Sequence, residues 1–200
     1  MPMEGKSMSE KELQPEVIVF AGPNGSGKST ITKLAKTGGI YINADDIKRA
    51  NHCSDIEAAQ IAEGLREQCV EDGQDFTFET VLSTRRNLDL LIKAKEKGFF
   101  IRCFYVLTDN ANVNVARVHV REKQGGHGVP DDKIRTRYER CLKLIPELIS
   151  VCDVIHIYDN TQEPSRIFKR RKTKYFRWTN KYWNDKRIEE LTGIIEYDEH

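Results

Sequence analysis

The sequence has no apolar run long enough to cross a membrane. Hydrophobic residues make up 38% of the 200 residues, and charged residues divide them into short runs. The N-terminus, MPMEGKSMSEKELQPE, also lacks the apolar centre of a signal peptide, and we expect residues 1–15 to be a disordered lead-in. The five cysteines are scattered and form no CxxC pair, which is typical of reduced thiols rather than of a disulfide or zinc framework. These absences predict a cytoplasmic protein without a membrane partner.

Neither sign of charge dominates the chain, since a net charge of +1 creates no overall field that would attract nucleic acid or a membrane. Basic charge is nevertheless concentrated between Arg166 and Arg187, where ten Lys or Arg residues accompany one acidic residue. Six aromatic residues are interleaved with them, namely Phe168, Tyr175, Phe176, Trp178, Tyr182 and Trp183. Three roles stay open for this basic-aromatic segment: a hairpin with solvated cations, a protein-docking surface, or a surface for single-stranded nucleic acid.

Short apolar runs alternate with helical periodicity along the chain and predict five strands, at 17–20, 40–42, 76–79, 99–107 and 154–158. This alternation predicts an α/β fold of the P-loop kinase kind, with a mostly parallel five-stranded sheet flanked by helices. Two helical stretches, about 110–123 and 130–149, predict a helical lid over about 110–140. A C-terminal β-hairpin at about 165–187 would complete a single domain over 16–200.

The stretch AGPNGSGKST at 21–30 matches the phosphate-binding loop pattern GxxxxGK[ST], and it lies between a strand and a helix as that motif requires. Its glycines let backbone N–H groups converge on phosphates at a helix N-terminus. Lys28 would reach the β- and γ-phosphates of ATP or GTP, and the Ser29 hydroxyl would bind Mg²⁺. The predicted nucleotide-binding set is Gly22, Pro23, Asn24, Gly25, Ser26, Gly27, Lys28, Ser29 and Thr30.

The companion signatures of other P-loop proteins are missing, since the chain has neither an LSGGQ sequence nor an NKxD element. A small kinase is therefore favoured, and its carboxylates are predicted from strand ends. Asp45 and Asp46 follow the second strand and Glu79 ends the third, so all three would meet the loop at one edge of a parallel sheet. One carboxylate would orient the acceptor hydroxyl and take its proton. Helix capping by the aspartates and a solvent-facing Glu79 are the alternatives.

Arginines of the predicted lid offer positive charge for the transferred phosphate. Arg117 and Arg121 are four residues apart and share a helical face with Val113 and Val120, which predicts that this face points inward. Arg137 lies at the edge of the apolar stripe of the next helix. Each of these arginines could alternatively be a snorkelling or salt-bridged surface residue.

Five motifs occur in the order found in zeta-toxin-like P-loop kinases, and the chain resembles that family over about residues 16–160. They are AGPNGSGKST, YINADDI, FTFETVLS, ARVHVREKQGGHGVPDDKIRTRYERCL and IHIYDN. The resemblance implies a cytosolic toxin of a toxin–antitoxin system. It further implies transfer of phosphate from ATP or GTP to the 3′-hydroxyl of UDP-N-acetylglucosamine.

The resemblance also assigns roles by position in the motifs. Lys28 and Ser29 match the nucleotide and Mg²⁺ residues, Asp45 matches the catalytic base, and Arg117 matches a lid arginine whose role Arg121 would share. Glu79 matches the acidic substrate-binding position, with Thr80 and Ser83 beside it. The predicted substrate-binding set also includes Asp46, His127 and Arg137, which the resemblance does not assign. The chain departs from the family at one place: around the family's second lid arginine it has the sequence Gly126-His127-Gly128. Arg137 is the candidate to supply the missing charge. His127 is alternatively a hinge-loop residue.

The sequence thus predicts an ATP- or GTP-dependent kinase that acts on a UDP-amino-sugar, with an antitoxin protein as a partner. Two alternatives stay open. One is a polynucleotide, RNA-end or nucleotide kinase that uses the basic-aromatic segment to bind its acceptor. The other is a nucleotide-binding regulator that does not catalyse phosphate transfer.

Overall fold

The computed structural model describes residues 14–199 apart from Lys36 and His127. The predicted lead-in at 1–15 therefore lies outside the described residues except for Gln14 and Pro15. One sheet organises the described chain, with the strand order β2-β3-β1-β4-β5-β6-β7. Its strands are β1 Glu16–Ala21, β2 Ile40–Ile42, β3 Phe76–Thr80, β4 Phe100–Leu107, β5 Val154–Asp159, β6 Ser165–Arg171 and β7 Lys174–Arg177.

The first five strands pair in parallel, which confirms the predicted α/β fold. The predicted strand number is wrong, because the C-terminal hairpin joins the same sheet. Strand β6 pairs antiparallel with β5, and β7 pairs antiparallel with β6, so the sheet has seven strands. The hairpin occupies 165–177 rather than 165–187. By pairing with β5, it covers what would otherwise be a long exposed edge of an apolar strand.

Eight helices connect and cover these strands in the described chain: α1 Lys28–Leu34, α2 Ala44–Asn51, α3 Asp55–Asp72, α4 Arg86–Glu96, α5 Ala111–Lys123, α6 Asp131–Lys143, α7 Ile145–Val151 and α8 Asp185–Thr192. The helix predicted at 130–149 is in fact two, with a break at Leu144. Pro146 lies in the first turn of α7, and its ring nitrogen has no hydrogen to donate to a preceding turn. The helices α2 and α8, of eight residues each, were not among the predicted elements.

The main core lies on one face of the sheet, where α3, α4, α7 and α8 pack against the strands. Trp183, just before α8, is among its largest fully buried side chains. The opposite face buries a smaller cluster under α1, built from Ile18, Phe20, Ile31 and Val106. The two faces of the sheet are therefore covered very unequally within the described part of the chain.

Arg170 ties the hairpin to the C-terminal end of α7. Its guanidinium donates to the carbonyl oxygens of Ile149, of Ser150 at 3.0 Å and of Cys152 at 2.7 Å, and its Nε donates to that of Lys172 at 2.8 Å. Unpaired carbonyls at a helix C-terminus carry partial negative charge, so an arginine is well suited to this position.

We predict that Arg170→Ala lowers the free energy of unfolding by about 1–3 kcal/mol, because it leaves several partly buried carbonyls without a donor. The neighbouring Arg171→Ala is the matched control, since Arg171 is exposed on the other face of β6 and should change stability by less than about 0.5 kcal/mol. Urea denaturation followed by circular dichroism measures both values. Equal effects of the two substitutions would contradict this assignment.

Candidate active site

The phosphate-binding loop follows β1 and leads into α1, as the sequence motif predicts. The backbone requires glycine at several positions of this loop, and Gly22 and Gly27 are the most closely packed of them. Gly22 has a φ of 143° and Gly27 a φ of 92°, both in the region that favours glycine. A Cβ at Gly22 would overlap the carbonyl oxygen of Val106, and one at Gly27 would overlap the side-chain amide of Asn160. The loop is thus pressed against β4 and the end of β5.

Lys28 folds back over the loop it follows. Its Nζ donates to the carbonyl oxygens of Gly22 at 2.8 Å and Pro23 at 3.2 Å. Burial of the ammonium group is the main reason that the pKa of Lys28 is lowered to about 8, and the nearby carboxylate of Glu79 acts in the opposite direction. A phosphate group in the loop would supply the negative charge that this lysine otherwise lacks at close range.

Two buried asparagines, neither of which was predicted from the sequence, hold the loop in place. Asn114 of α5 is fully buried and donates its side-chain amide to the carbonyl oxygen of Asn24 at 2.6 Å. Asn160, directly after β5, donates to the carbonyl oxygen of Ser26 at 2.7 Å. The signal that could have identified Asn114 is its position between Val113 and Val115 on a helix, where a buried polar side chain needs a partner.

The loop forms one side of a cleft of 540 Å³. The predicted site residues that line this cleft are Asn24, Gly25, Gly27, Lys28, Ser29, Thr30, Asp45, Glu79, Thr80, Arg117 and Arg121. They come from the loop, the first turn of α2, the end of β3 and the helix α5. Parallel strands bring these segments together because their carboxyl ends share one edge of the sheet.

The two neighbouring aspartates have different surroundings. Asp45 lines the cleft, and its backbone N–H donates to the Asn43 side chain, which caps α2, at 2.9 Å. Asp46 forms an exposed ion pair with Arg49 and is not among the residues that line the cleft. Neither aspartate is the helix cap, because Asn43 occupies that position. Asp45 is therefore the one of the two that faces the nucleotide loop.

Glu79 is held by a tyrosine that the sequence reading did not single out. The Tyr41 hydroxyl donates to Glu79 Oε1 at 2.9 Å, and the Asn43 amide donates to the Tyr41 oxygen at 3.3 Å. Burial raises the pKa of Tyr41 to about 12, so its hydroxyl keeps the proton that it donates to Glu79. This chain of hydrogen bonds orients Glu79 across the cleft from Lys28.

Both lid arginines reach the cleft, but the face of α5 that points inward is not the predicted one. Val120 is 56% exposed, which makes the predicted inward face with Val113 wrong. The buried residues of α5 are Asn114, Val115 and Val118. Arg117 lies three residues after Asn114, and Arg121 lies four residues after Arg117. At this spacing both arginines share the helical face of Asn114, the residue that bonds to the loop. Arg117 also donates to the carbonyl oxygen of Thr161 at 3.2 Å.

Of the predicted substrate-binding residues not yet described, Thr80 lines the cleft. The Thr80 hydroxyl accepts from the backbone of Leu82 at 3.0 Å and from Asn87 at 2.8 Å, and Ser83 is not among the lining residues. Arg137 of α6 donates to the side chain of Asn24 at 3.2 Å, so it supports the loop. His127 lies outside the described residues.

The cleft offers few ligands of its own for a cation. In the described ranges, 14–35, 37–126 and 128–199, no group of three His, Cys, Asp or Glu side chains could hold a metal ion. Mg²⁺ bound with a nucleotide needs fewer protein ligands, because phosphate oxygens and waters complete its octahedron. The Ser29 hydroxyl, at the start of α1 and beside Lys28, fits the single protein ligand of such a site.

Comparisons with known proteins identify the family of this chain. The zeta toxin family profile matches residues 3–173, which is most of the chain. The chain belongs to the zeta toxin family. An uncharacterized protein of Haemophilus influenzae is 31% identical over 132 residues, a match that covers 63% of this chain and 94% of that protein. The zeta toxin family and the phosphate loop together make this protein a P-loop kinase by fold and family.

Solved structures share the fold of this family member at low sequence identity. The PezAT toxin–antitoxin system of Streptococcus pneumoniae matches with a TM-score of 0.55 at 17% identity, covering 82% of this chain and 74% of that one. The complex AvrRxo1-ORF1:AvrRxo1-ORF2 with ATP has a TM-score of 0.65 at 15% identity, covering 94% and 67%. A chain of the Pnkp1/Rnl/Hen1 RNA repair complex has 0.53 at 17%, and the present chain spans 47% of its length.

The described helices include none that is both long and apolar enough to cross a membrane. This finding agrees with the absence of long apolar runs in the sequence.

We predict that Asn114→Ala destabilises the protein by about 1–3 kcal/mol, because the carbonyl of Asn24 and the hydroxyl of Thr108 each lose a buried partner. Nucleotide affinity should fall as well, since the loop is no longer held in shape. Asn112→Ala on the same helix is the control, because Asn112 is exposed and bonds only at the surface with Arg135. Urea denaturation and calorimetric titration with ATP measure the two effects, and equal losses in both variants would contradict the role of Asn114.

We further predict that ATP binding takes up about half a proton at pH 8, because Lys28 is half charged in the free protein and fully charged beside phosphate. Affinity should accordingly weaken as the pH rises above 8. Titration calorimetry in two buffers of different ionisation enthalpy measures the uptake. Lys28→Arg should abolish it, because arginine stays charged at these pH values. Proton release, or uptake that persists in the variant, would refute the assignment to Lys28.

Proposed function

We propose that the protein transfers the γ-phosphate of ATP or GTP to a hydroxyl of a UDP-amino-sugar. The observation that carries the proposal is the composition of the cleft. A phosphate loop, a carboxylate at Asp45 and the arginines Arg117 and Arg121 line the same 540 Å³ space. A kinase uses all three features: the loop binds the donor phosphates, the carboxylate takes the proton of the acceptor hydroxyl, and the arginines stabilise the charge of the transferring group.

The reaction divides among these residues as follows. The acceptor oxygen attacks the γ-phosphorus, the bond from that phosphorus to the β,γ-bridging oxygen breaks, and the nucleoside diphosphate leaves. Asp45 accepts the proton that the acceptor hydroxyl loses. Lys28 and the two arginines stabilise negative charge on the transferring group, which accounts for most of catalysis in this chemistry. Mg²⁺ at Ser29 would add positive charge on the phosphate oxygens.

The acceptor side of the cleft is lined by Glu79 and Thr80. Glu79 is well placed to accept a hydrogen bond from a sugar hydroxyl or amide, because Tyr41 fixes its orientation from the other side. Membership of the zeta toxin family supports UDP-N-acetylglucosamine as the acceptor. The PezAT relative is part of a toxin–antitoxin system, which supports an antitoxin protein as the partner of this chain.

The test is to incubate the protein with γ-labelled ATP, Mg²⁺ and separate acceptors: UDP-N-acetylglucosamine, other UDP-sugars, dinucleotides and single-stranded oligonucleotides. We expect label on the UDP-amino-sugar. Asp45→Asn should lower the rate by about 10²–10⁴-fold while leaving ATP affinity nearly unchanged, because Asp45 acts on the acceptor. Radiometric assay and calorimetry provide the two readouts.

Asp46→Asn is the matched comparison, since Asp46 pairs with Arg49 away from the cleft. An equal rate loss in both variants would mean that helix α2, rather than the Asp45 carboxylate, is responsible. If label appears only on oligonucleotides, the acceptor is a polynucleotide rather than a UDP-amino-sugar. ATP binding without transfer to any acceptor would favour a nucleotide-binding regulator instead.

A further inference from the structure

The face of the sheet opposite the main core stays open beyond α1. Within the described part of the chain, α1 is the helix that packs on this side, over Ile18, Phe20 and Val106. We call the remaining surface the open sheet face. Its partly or fully exposed side chains are Arg102, Phe104, His156, Tyr158, Arg166, Lys169, Arg171, Lys174, Phe176 and Trp178.

The strand register arranges these side chains in rows that mix cations with aromatic rings. One row runs through Phe104, His156, Lys169 and Phe176. The rings of Phe104 and His156 stack with centroids 5.4 Å apart, and Lys169 Nζ lies 5.8 Å from the centre of Phe176. Beside this row, the Arg166 guanidinium lies 4.2 Å from the ring centre of Trp178. Neighbouring residues of one row lie about 4.8 Å apart, which is the spacing of adjacent strands in a sheet.

The cations of the open sheet face are largely unneutralised. Arg166, Lys169, Arg171 and Lys174 have no carboxylate oxygen within 4.0 Å among the described residues. Arg102, by contrast, is paired with Glu16 at 2.7 Å. A group of cations without counter-charges favours a polyanionic ligand, because each contact releases condensed counterions from that ligand.

His156 reports the local field at the centre of this surface. Burial, together with the positive charges of Arg166, Lys169 and Arg102, lowers the pKa of His156 to about 4. The histidine is therefore neutral near pH 7, and its ring is available as part of the aromatic surface. The same positive charges that suppress its protonation would attract phosphate groups.

A cleft of 680 Å³ opens where the open sheet face meets α1. Its walls include Ile31, Phe104 and Tyr158, and Arg102 is among the residues that line it. The face of a nucleobase can pack against these aromatic and aliphatic side chains, whereas the carboxylates of an acidic peptide would make few favourable contacts with them. The rings therefore favour nucleic acid over an acidic protein as the partner of these cations.

We propose that the open sheet face binds single-stranded nucleic acid, with the four unneutralised cations contacting phosphates and the rings contacting bases. In a duplex the bases are stacked on one another, so their faces cannot contact the rings of the open sheet face. A single strand is therefore preferred. This site is separate from the phosphate loop, and the proposal holds whichever acceptor the kinase uses.

The two tryptophans of the chain allow a direct test. Trp178 lies on the open sheet face, whereas Trp183 is 1% exposed in the main core and serves as an internal reference. The nucleotide-free protein is titrated with U12 RNA and dT12 while tryptophan emission and the anisotropy of labelled oligonucleotide are recorded. We expect quenching that is lost in Trp178→Phe. The logarithm of affinity should fall with the logarithm of salt concentration with a slope of about −3, for four phosphate contacts.

Charge variants locate the binding surface. Lys169→Ala/Arg171→Ala should weaken binding about tenfold and bring the salt slope closer to zero by about 1.4, because two phosphate contacts disappear. The control Lys133→Ala/Lys186→Ala removes two exposed lysines from α6 and α8 and should change neither value. Lys28→Met should also leave oligonucleotide binding unchanged, although it abolishes ATP binding.

Three outcomes would overturn the proposal. The first is the absence of salt-sensitive binding at 50 mM salt. The second is poly-glutamate of equal charge binding as tightly as the oligonucleotide without quenching Trp178, which would make the face a docking surface for an acidic protein. The third is a loss of oligonucleotide binding in Lys28→Met, which would place the oligonucleotide in the kinase cleft instead.

Discussion

The conformation of the phosphate loop is the constraint on which the rest of the structure depends. Its backbone approaches β4 and the end of β5 so closely that Gly22 and Gly27 cannot carry a side chain. Loop carbonyls that would otherwise be buried without partners are bonded by Asn114 and Asn160. Buried polar groups cost free energy unless they are paired, so the loop, α5 and the end of β5 must be assembled together.

This assembly also places the positive charges that line the cleft. The helix α5 can offer Asn114 to the loop only in one rotation, and that rotation brings Arg117 and Arg121 to the cleft. Arg137 adds a further contact from α6 to Asn24. Direct hydrogen bonds thus link α5 and α6 to the loop. A phosphate that draws Lys28 away from its carbonyl contacts would also lie beside Arg117 and Arg121.

The C-terminal hairpin sorts its basic and aromatic residues between the two faces of the sheet. Phe168 and Tyr175 pack with the main core, and Arg170 and Arg177 are bonded on that side. Lys169 and Phe176 alternate with these along the strands and lie on the opposite face, and the register shift between Ile157 and Tyr158 pairs Arg166 with Tyr158 on that face as well. A strand with a period of two separates neighbours in this way, so one segment stabilises the fold and also forms a charged surface.

The amino-acid sequence by itself determined the local motifs: the phosphate loop and the alternation of strands and helices that predicts a parallel sheet. These depend on residues close together in the chain, whose spacing is visible without a fold. The tertiary structure decided which of Asp45 and Asp46 faces the cleft, which side of α5 points inward, and that the hairpin extends the sheet. It also revealed Asn114, Asn160 and Tyr41, because their partners are distant in sequence and only packing brings them together.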